Sequence, residues 1–293
     1  MQVMTNASPS GNKGAAAPAT DQRRRTPWPL MVVAALFVIV PFAYWYGTWF
    51  GRGLSDEQVE KYFNDGGNPR HVQHALSQVG EGVEAKRPGV ERWFPRVVEA
   101  SGSQSADVRM TAAWVMGLEH GRDDFHEALL RLLADPEPIV RRNAALALVR
   151  FGDPRARSEL LAMLRPYSVK SPAAGTALTV LSEGSYVRRD TMLARVRVEG
   201  GQPSEVRTPL PGKILSSSAR EGQSVAAGEE LFVLAPDAEH VRDALIGLQY
   251  FGEAEDLPEV ERFAAGVEGM PEEVKKQAAM TAEAVRRRSS GRS

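Results

Sequence analysis

Four segments of the chain repeat one helical pattern, and this repetition limits the possible folds more than any other feature of the sequence. Each segment has Val followed by Arg or Lys near its start, then small and apolar residues at helical spacing; the four are residues 107–117, 138–154, 240–254 and 272–285. In the second segment, Val140, Ala144 and Leu148 fall on one helical face. The pattern predicts helices that pack closely against one another through small side chains.

Second helices lie between these segments, so the repeating unit is predicted to be a helix–turn–helix. They are marked by apolar residues at helical spacing, which are Phe125, Leu129, Leu132, Ala156, Leu160, Leu164, Val260 and Phe263. Equivalent alanines are 32 residues apart between Ala112 and Ala144, and 34 residues apart between Ala244 and Ala278. A period of this length indicates an array of stacked repeats.

The unit resembles the HEAT repeat, most closely the short bacterial repeats with the pattern D-x-x-V-R-x-x-A-A, which also occur in phycobilisome lyases. The residues that carry the resemblance are Val108-Arg109, Val140-Arg141, Val274-Lys275 and Ala278-Ala279. Residues 71–82 form a weaker early copy, which departs from the pattern by having Arg70 and His71 where Val-Arg is expected. The resemblance implies an α-solenoid, in which each repeat contacts its neighbours.

The repeat is interrupted in the middle of the chain. Ala144 and Ala244 are 100 residues apart, and leaving out the 69 residues 168–236 reduces this spacing to 31, close to the period elsewhere. Loops between repeats accept insertions in solenoids. Residues 168–236 are therefore predicted to be a separate unit inserted between two stacked repeats.

The inserted segment consists of two similar halves. Each half runs Pro, Gly three residues later, an apolar strand, Glu-Gly, Val and a second strand; the matched pairs are Pro172/Pro209, Gly175/Gly212, Gly184/Gly222, Val187/Val225 and Leu193/Leu231. The glycines supply turn conformations that other residues avoid. The doubled pattern resembles the barrel-sandwich hybrid of biotinyl/lipoyl carrier domains, which also occurs in periplasmic adaptor proteins. The resemblance implies a small all-β unit with a pseudo-twofold axis.

The same resemblance indicates where a prosthetic group would be attached. In carriers, a lysine at the tip of the hairpin between the halves bears the cofactor. Here that hairpin, residues 199–205, contains no lysine, and Lys170 and Lys213 lie beside the Pro-x-x-Gly turns instead. The long helical hairpin of adaptor proteins is missing as well. We therefore predict that the chain carries no cofactor.

An apolar segment near the N-terminus predicts a membrane anchor. Residues 28–50 contain no charged residue and follow Arg23-Arg24-Arg25. As a helix they would extend about 35 Å, enough for a bilayer core about 30 Å thick. A cleaved signal peptide is the alternative, and the length of the apolar segment argues against it. The arginines favour a cytoplasmic N-terminus and a periplasmic or exterior folded part, hence a single-pass protein of the bacterial inner membrane.

Composition excludes several classes of function. The chain has no cysteine, so disulfides, thiolate metal sites and cysteine nucleophiles are ruled out. Its net charge is −1, and no basic face indicates binding to nucleic acid. No Ser/His/Asp set and no phosphate-binding glycine loop has a usable spacing. The prediction is a protein that is not an enzyme and has no catalytic, cofactor-binding or metal-binding residues.

Two groups of residues have the composition of metal sites without the spacing that would assign one. Glu119, His120, Asp123, Asp124 and His126 are the right ligand types, but a solvated turn with helix-capping aspartates is the favoured interpretation. His71 and His74 are three residues apart on a helix, and no third ligand is evident.

Arg109, Arg141 and Arg242 recur at one position of the repeat. Hydrogen bonding between neighbouring repeats is the favoured interpretation of these arginines, over a groove that binds an acidic partner.

The predicted fold class is mainly α: a HEAT-type α-solenoid with an inserted small all-β barrel-sandwich hybrid, preceded by one transmembrane helix. The expected division is a disordered cytoplasmic N-terminus at 1–25, the transmembrane helix at 26–51, HEAT-like repeats at 54–167, the lipoyl-like insert at 168–236, further repeats at 237–288 and a tail at 289–293.

This organisation predicts a membrane-anchored scaffold that binds protein partners, contacts the bilayer through residues 28–50 and does not bind nucleic acid. An accessory or adaptor subunit of an envelope transport or membrane complex is the alternative. A lyase-like helper for cofactor attachment is a weaker one, suggested only by the occurrence of short HEAT repeats in phycobilisome lyases. A fold alone does not choose among these functions.

Overall fold

The computed structural model describes residues 53–291, together with four positions of the N-terminal segment. The chain divides into two units, Met1–Gly53 and Leu54–Ser293. Of the first unit, Ala35, Phe37, Ile39 and Val40 are described, and these four residues are helical and exposed. The predicted disordered N-terminus at 1–25 lies outside the described residues.

The prediction of a transmembrane helix at residues 26–51 is corrected by the structure, since no helix in the described part is long and apolar enough to cross a membrane. The longest helix there, Glu272–Ser290, has 19 residues, but its exposed face carries charged side chains such as Glu283 and Arg287. Apart from the four helical positions, the predicted segment itself lies outside the described residues. The fold class therefore loses its transmembrane element, and the single-pass inner-membrane localisation loses its basis.

The helical part of the second unit surrounds a β insert. Its α-helices are α1 (Asp56–Asn64), α2 (Pro69–Glu84), α3 (Phe94–Ala100), α4 (Ala106–Leu118), α5 (Asp123–Leu132), α6 (Pro138–Arg150), α7 (Arg157–Met163), α8 (Ala238–Phe251), α9 (Leu257–Ala265) and α10 (Glu272–Ser290). Short 3-10 helices at Val90–Trp93, Pro154–Ala156 and Ala254–Asp256 lead into α3, α7 and α9.

The helices form two rows. Helices α2, α4, α6, α8 and α10 pack one after the other and make the front row. Helices α3, α5, α7 and α9 make the back row, and each packs on the next front-row helix. One continuous apolar core lies between the rows and runs through all the repeats, as a solenoid requires.

Small residues allow the front-row helices to approach closely. A Cβ atom on Gly117 of α4 would lie 2.8 Å from the Cβ of Ala147 on α6. A Cβ atom on Gly247 of α8 would lie 2.9 Å from a methyl carbon of Val149 on α6. Larger side chains at these positions would push the helices apart, because packed interiors have little free volume.

The insert consists of short strands between α7 and α8. They are β1 (Tyr167–Lys170), β2 (Gly175–Val180), β3 (Tyr186–Val187), β4 (Met192–Arg197), β5 (Ser204–Arg207), β6 (Gly212–Ser217), β7 (Ser224–Val225) and β8 (Glu230–Leu234). They form two four-stranded antiparallel sheets with the orders β1-β8-β6-β3 and β5-β4-β2-β7. The insert has an apolar core of its own, which includes Val196, Leu231 and Phe232.

The two halves of the insert are related by a pseudo-twofold exchange. Replacing β1–β4 by β5–β8, and the reverse, converts the strand order of one sheet into that of the other. The matched glycines Gly184 and Gly222 both have φ of 82°. A Cβ atom on Gly175 would lie 2.1 Å from the carbonyl oxygen of Arg197, and one on Gly212 would lie 2.4 Å from that of Ala235. The doubled sequence motif is thus a doubled structure.

The helical repeats remain in contact across the insert. Tyr167 pairs with Leu234, so the two ends of the insert meet. Arg157 of α7 binds Asp256, which lies 99 positions later, with Nη2 2.7 Å from Oδ1. The Nη2 atom of Arg262 donates to the carbonyl oxygen of Leu164 at 2.8 Å. The helices before and after the insert therefore form one stack.

The insert also contacts the helices directly. Arg189, in the turn between β3 and β4, forms an ion pair with Asp107 in the first turn of α4. Leu210, between β5 and β6, is buried with the apolar core of the helices. These contacts restrict the orientation of the insert on the stack.

The matched turns after β3 and β7 give a test of the pseudo-symmetry. Asp190 (φ 63°) occupies the place of Gly228 (φ 80°). Each donates its N–H to a carbonyl oxygen directly before the Pro-x-x-Gly turn of the other half: Asp190 to Thr208, and Gly228 to Ser171. We expect Gly228→Ala to lower the free energy of unfolding by about 1 kcal/mol or more, because Ala avoids positive φ. Asp190→Gly should leave it within about 0.5 kcal/mol or raise it, because Gly adopts this φ freely.

The comparison is made by urea unfolding of each variant. Gly201→Ala is the control, because Gly201 lies in the exposed β4–β5 turn without a positive φ. Equal losses for Gly228→Ala and Gly201→Ala would contradict the assignment of a strained turn at residue 228.

Candidate functional site

A groove crosses the front row over α4, α6 and α8. Its volume is about 720 Å³. Its lining combines apolar, aromatic and charged side chains with two glycines: Trp114, Gly117, Asn143, Leu146, Ala147, Val149, Arg150, Glu239, His240, Asp243, Ile246, Gly247 and Tyr250. The close approach of α4 and α6 at Gly117 and Ala147 provides its floor.

Large apolar side chains are exposed at one end of the groove. Trp114 is 36% exposed, Ile246 is 38% exposed and Tyr250 is 62% exposed. Trp114 is held in place by Gly80 of α2, where a Cβ atom would lie 2.4 Å from the indole ring. A grouped apolar surface of this kind, with polar residues at its edge, is typical of an interaction site.

Acidic side chains line the other end of the groove. Glu239 lies in the first turn of α8, where the helix dipole favours negative charge, and Asp243 lies one turn further along the helix. Within the described part of the chain, Glu239 forms no ion pair and Asp243 pairs only with its neighbour Arg242, at 3.3 Å. Arg150 lies toward the aromatic end, and it donates to the carbonyl oxygen of Gly117 at 3.3 Å. The groove is therefore acidic at one end and apolar at the other.

A buried polar cluster lies under the acidic end, where the helices meet the insert. Arg142 of α6 is 3% exposed, and its Nε has no hydrogen-bond partner among the described residues. Burial lowers the pKa of Arg142 to about 10. Burial also lowers the pKa of His240, and the charge of Arg142 lowers it further. His240 is accordingly uncharged at neutral pH.

Asp237 connects this cluster to the insert. Its side chain caps α8 by accepting from the N–H groups of Glu239 and His240, at 3.1 and 3.4 Å. The hydroxyl of Tyr186 on β3 donates to Asp237 Oδ1 at 2.6 Å. This hydrogen bond raises the pKa of Tyr186 to about 12. The start of α8, which carries the acidic end of the groove, is thus fixed to the insert.

Two of the three recurring arginines bond neighbouring repeats. Arg109 donates to Asp135 at 2.6 and 2.9 Å and to the carbonyl oxygen of Ser103 at 2.8 Å. Arg141 donates to the carbonyl oxygen of Asp135 at 2.8 Å and to Glu159 at 3.2 Å. Arg242 differs, since among residues 53–291 its guanidinium donates only to the adjacent Asp243.

The histidine and carboxylate groups considered as metal ligands are dispersed. Among residues 53–291, no three His, Asp or Glu side chains are grouped as a metal ion would require. His126 Nε2 lies 2.7 Å from Asp153 Oδ2, and Asp124 pairs with Arg122 at 2.7 Å. His71 Nδ1 lies 2.6 Å from Asp65 Oδ2. These residues stabilise turns between helices.

The β4–β5 turn corresponds to the hairpin at which carriers bear their cofactor. Residues 199–203 are exposed throughout and include Gly200 with φ of 70°. Lys170 and Lys213 are exposed on β1 and β6. Neither lysine lies on the turn.

Comparison with known proteins identifies the helical repeats. The chain matches the model of the family described as HEAT repeats over residues 94–178, from α3 into β2. This confirms the HEAT-repeat prediction for that part of the chain; repeats of this type are typical of protein-interaction scaffolds. No curated protein sequence is significantly similar to this chain.

One solved structure with detectable similarity is "Structure and function of a single-chain, multi-domain long-chain acyl-coa carboxylase". The match has 17% sequence identity and a TM-score of 0.24, and it covers 47% of this chain and 14% of that chain. The chain therefore spans only a small part of the length of that protein.

The groove was not predicted from the sequence. Trp114 lies within an apolar helical pattern at residues 112–117, and such a pattern indicates a buried side chain. Instead the indole packs on Gly80, which lies on another helix and is distant in sequence, and it remains 36% exposed. The spacing of Glu239, Asp243, Ile246 and Tyr250 was the available signal, because these positions share one helical face.

Arg141 and Arg142 form a matched pair for testing the buried cluster. Arg142→Met should keep the free energy of unfolding within about 1 kcal/mol of the parent or raise it, because replacing a poorly satisfied buried charge by an apolar side chain is often neutral or stabilising. The same change should raise the pKa of His240, since it removes a cation that opposes protonation of the imidazole. Urea unfolding and an NMR titration of His240 measure the two effects.

Arg141→Met is the control. It removes hydrogen bonds to the carbonyl oxygens of Asp135 and Pro136 and to Glu159, and we expect a loss of about 1–3 kcal/mol. A larger loss for Arg142→Met than for Arg141→Met, or an unchanged pKa of His240, would contradict this description of the cluster.

Proposed function

We propose that this protein is a non-catalytic scaffold that binds a segment of a partner protein in the groove across α4, α6 and α8. The observation that carries the proposal is the combination, on the front row of a HEAT-type stack, of exposed aromatic side chains with the carboxylates of Glu239 and Asp243. Interface cores are enriched in aromatic residues and are surrounded by polar ones. This surface therefore favours a protein as the partner.

The shape of the groove favours a protein segment over a small molecule. Sites for small molecules bury most of the ligand surface. Here Ile246 and Tyr250 remain 38% and 62% exposed, so the groove is open along α8. Its floor is formed by closely packed helices and does not have to reorganise on binding, which lowers the entropic cost of association.

We also propose that residues 168–236 are an unmodified relative of the biotinyl/lipoyl barrel-sandwich hybrid, inserted between the repeat blocks 54–167 and 237–288. The exchange symmetry of its two sheets supports this relation. The lysine-free turn at 199–203 supports the absence of a prosthetic group. In this proposal the insert acts structurally, by fixing the start of α8 through the hydrogen bond between Tyr186 and Asp237.

The chemistry of the groove supports a non-catalytic role. His240 is its titratable base, but burial lowers the pKa of this side chain and its Nδ1 atom faces Asp237 Oδ2 at 3.6 Å, beneath the groove. Catalytic bases act through a hydrogen bond to the reacting group or to a nucleophile. The groove lining has no Ser, Thr, Cys or Lys side chain that His240 would activate.

In-cell photo-crosslinking tests the proposal. A photoreactive phenylalanine derivative at position 250 should form a covalent adduct with a specific protein, because Tyr250 lies on the open side of the groove. Ile246→Asp in the same chain should abolish the adduct, since it places a charge on the apolar contact surface.

The control carries the photoreactive residue at Ala162, which is exposed on α7 in the back row. The proposal predicts no such adduct from this position. An adduct of equal yield from position 162, or none from position 250, would refute docking in the groove.

A further inference from the structure

We infer that the groove selects partner segments that place a Lys or Arg side chain at its acidic end and an apolar side chain at its aromatic end. This inference rests on the proposed function and specifies the chemistry of the partner. It depends on the order of the side chains along α8 and on the charges that surround them.

The acidic and apolar positions form one stripe along α8. Glu239, Asp243, Ile246 and Tyr250 follow a spacing of four, three and four residues, which keeps them on one helical face. At a rise of about 1.5 Å per residue, Asp243 and Tyr250 are about 10 Å apart along the helix axis. A bound segment must therefore present its basic and apolar side chains about 10 Å apart.

Nearby cations do not neutralise the acidic end. Arg142 is buried beneath the groove and does not line it. His240 lines the groove but is uncharged at neutral pH, since burial lowers its pKa. Arg242 shares Asp243 across the surface, where an ion pair is weak. The charge of Glu239 has no partner among the described residues.

Asn143 adds a third acceptor at the same end. Its side-chain Nδ2 donates to the carbonyl oxygen of Ile139 at 2.9 Å. The side-chain Oδ1 accepts no hydrogen bond from the described residues, so it is available to accept one from a bound cation. An ammonium or guanidinium group has only donors, so it matches two carboxylates and an amide oxygen. An acidic side chain would be repelled.

The opposite end accepts an apolar side chain. Trp114 and Tyr250 offer aromatic surface on two helices, and Ile246 lies between the acidic residues and Tyr250 in the stripe. The cation at this end, Arg150, donates to the carbonyl oxygen of Gly117 and so has part of its hydrogen-bonding capacity already used. Burial of a Leu-sized side chain against this apolar surface adds to the affinity of the segment.

Binding of fluorescently labelled peptides to the full-length chain tests the inference. Two 12-residue peptides carry Lys and Leu: seven residues apart in the first, to suit a helical segment, and three residues apart in the second, to suit an extended one. Each has a counterpart in which Glu replaces Lys. Fluorescence polarisation should detect binding of at least one Lys peptide, about tenfold tighter or more than its Glu counterpart. The difference should shrink as salt is added, because salt screens exposed charges.

One double variant of the groove separates the contribution of charge from that of apolar contact. Glu239→Gln combined with Asp243→Asn should reduce the advantage of Lys over Glu to less than about threefold while apolar binding remains, and these near-isosteric changes keep the shape of the groove. Glu261→Gln is the control, because Glu261 lies on the back-row helix α9, outside the groove. It should leave the preference for the Lys peptide over the Glu peptide unchanged.

The outcomes distinguish this inference from the proposed function. No binding of either Lys peptide, equal affinities for Lys and Glu peptides, or an unchanged preference in the double variant would overturn the inference. If the adduct at position 250 still forms and still depends on Ile246, the proposed docking site stands without the basic partner. If that adduct fails as well, both are refuted.

Discussion

The contact between a buried carboxylate and an arginine of the neighbouring repeat sets the geometry on which the rest of the structure depends. Asp135 is 8% exposed; it accepts two hydrogen bonds from Arg109 and one from the N–H of Glu137 at 2.9 Å. Burial favours the protonated carboxyl, but these hydrogen bonds outweigh it and lower the pKa of Asp135. Arg157 and the buried Asp256 repeat the arrangement across the insert. A buried charge without its partner is costly, so each pair holds adjacent repeats in one register.

The groove follows from this register. Because the repeats are held at a fixed offset, Gly117 meets Ala147 and the indole of Trp114 lies on Gly80. Trp114 then remains partly exposed beside the stripe of α8. The insert also helps to position α8, since the hydroxyl of Tyr186 donates to Asp237, the residue that caps this helix. The binding surface is thus produced by packing between repeats rather than by any single helix.

The sequence was sufficient for features that depend on local pattern. The Val-Arg pattern predicts the front-row helices, and the period predicts the insert, because both reflect which residues are buried every turn and every repeat. Features that depend on contacts between distant residues were not predictable. Arg242 was expected to bond a neighbouring repeat, but among the described residues its guanidinium donates to the adjacent Asp243 instead. The packing of Trp114 on Gly80 joins two helices that are distant in sequence. The transmembrane prediction rested on a local apolar pattern and was wrong, since no described helix is long and apolar enough to cross a membrane.

The central claim is that the repeats before and after the insert form one cooperative stack. It is tested most directly by replacing residues 168–236 with a short Gly/Ser linker and following unfolding by circular dichroism. The account predicts that the shortened protein stays helical and unfolds in a single transition, because Arg157 and Arg262 still bind across the junction; a modest loss of stability is expected, since Leu210 leaves the helical core. Two separate transitions, or loss of the helical signal, would show that the two blocks are not one stack and would contradict the account.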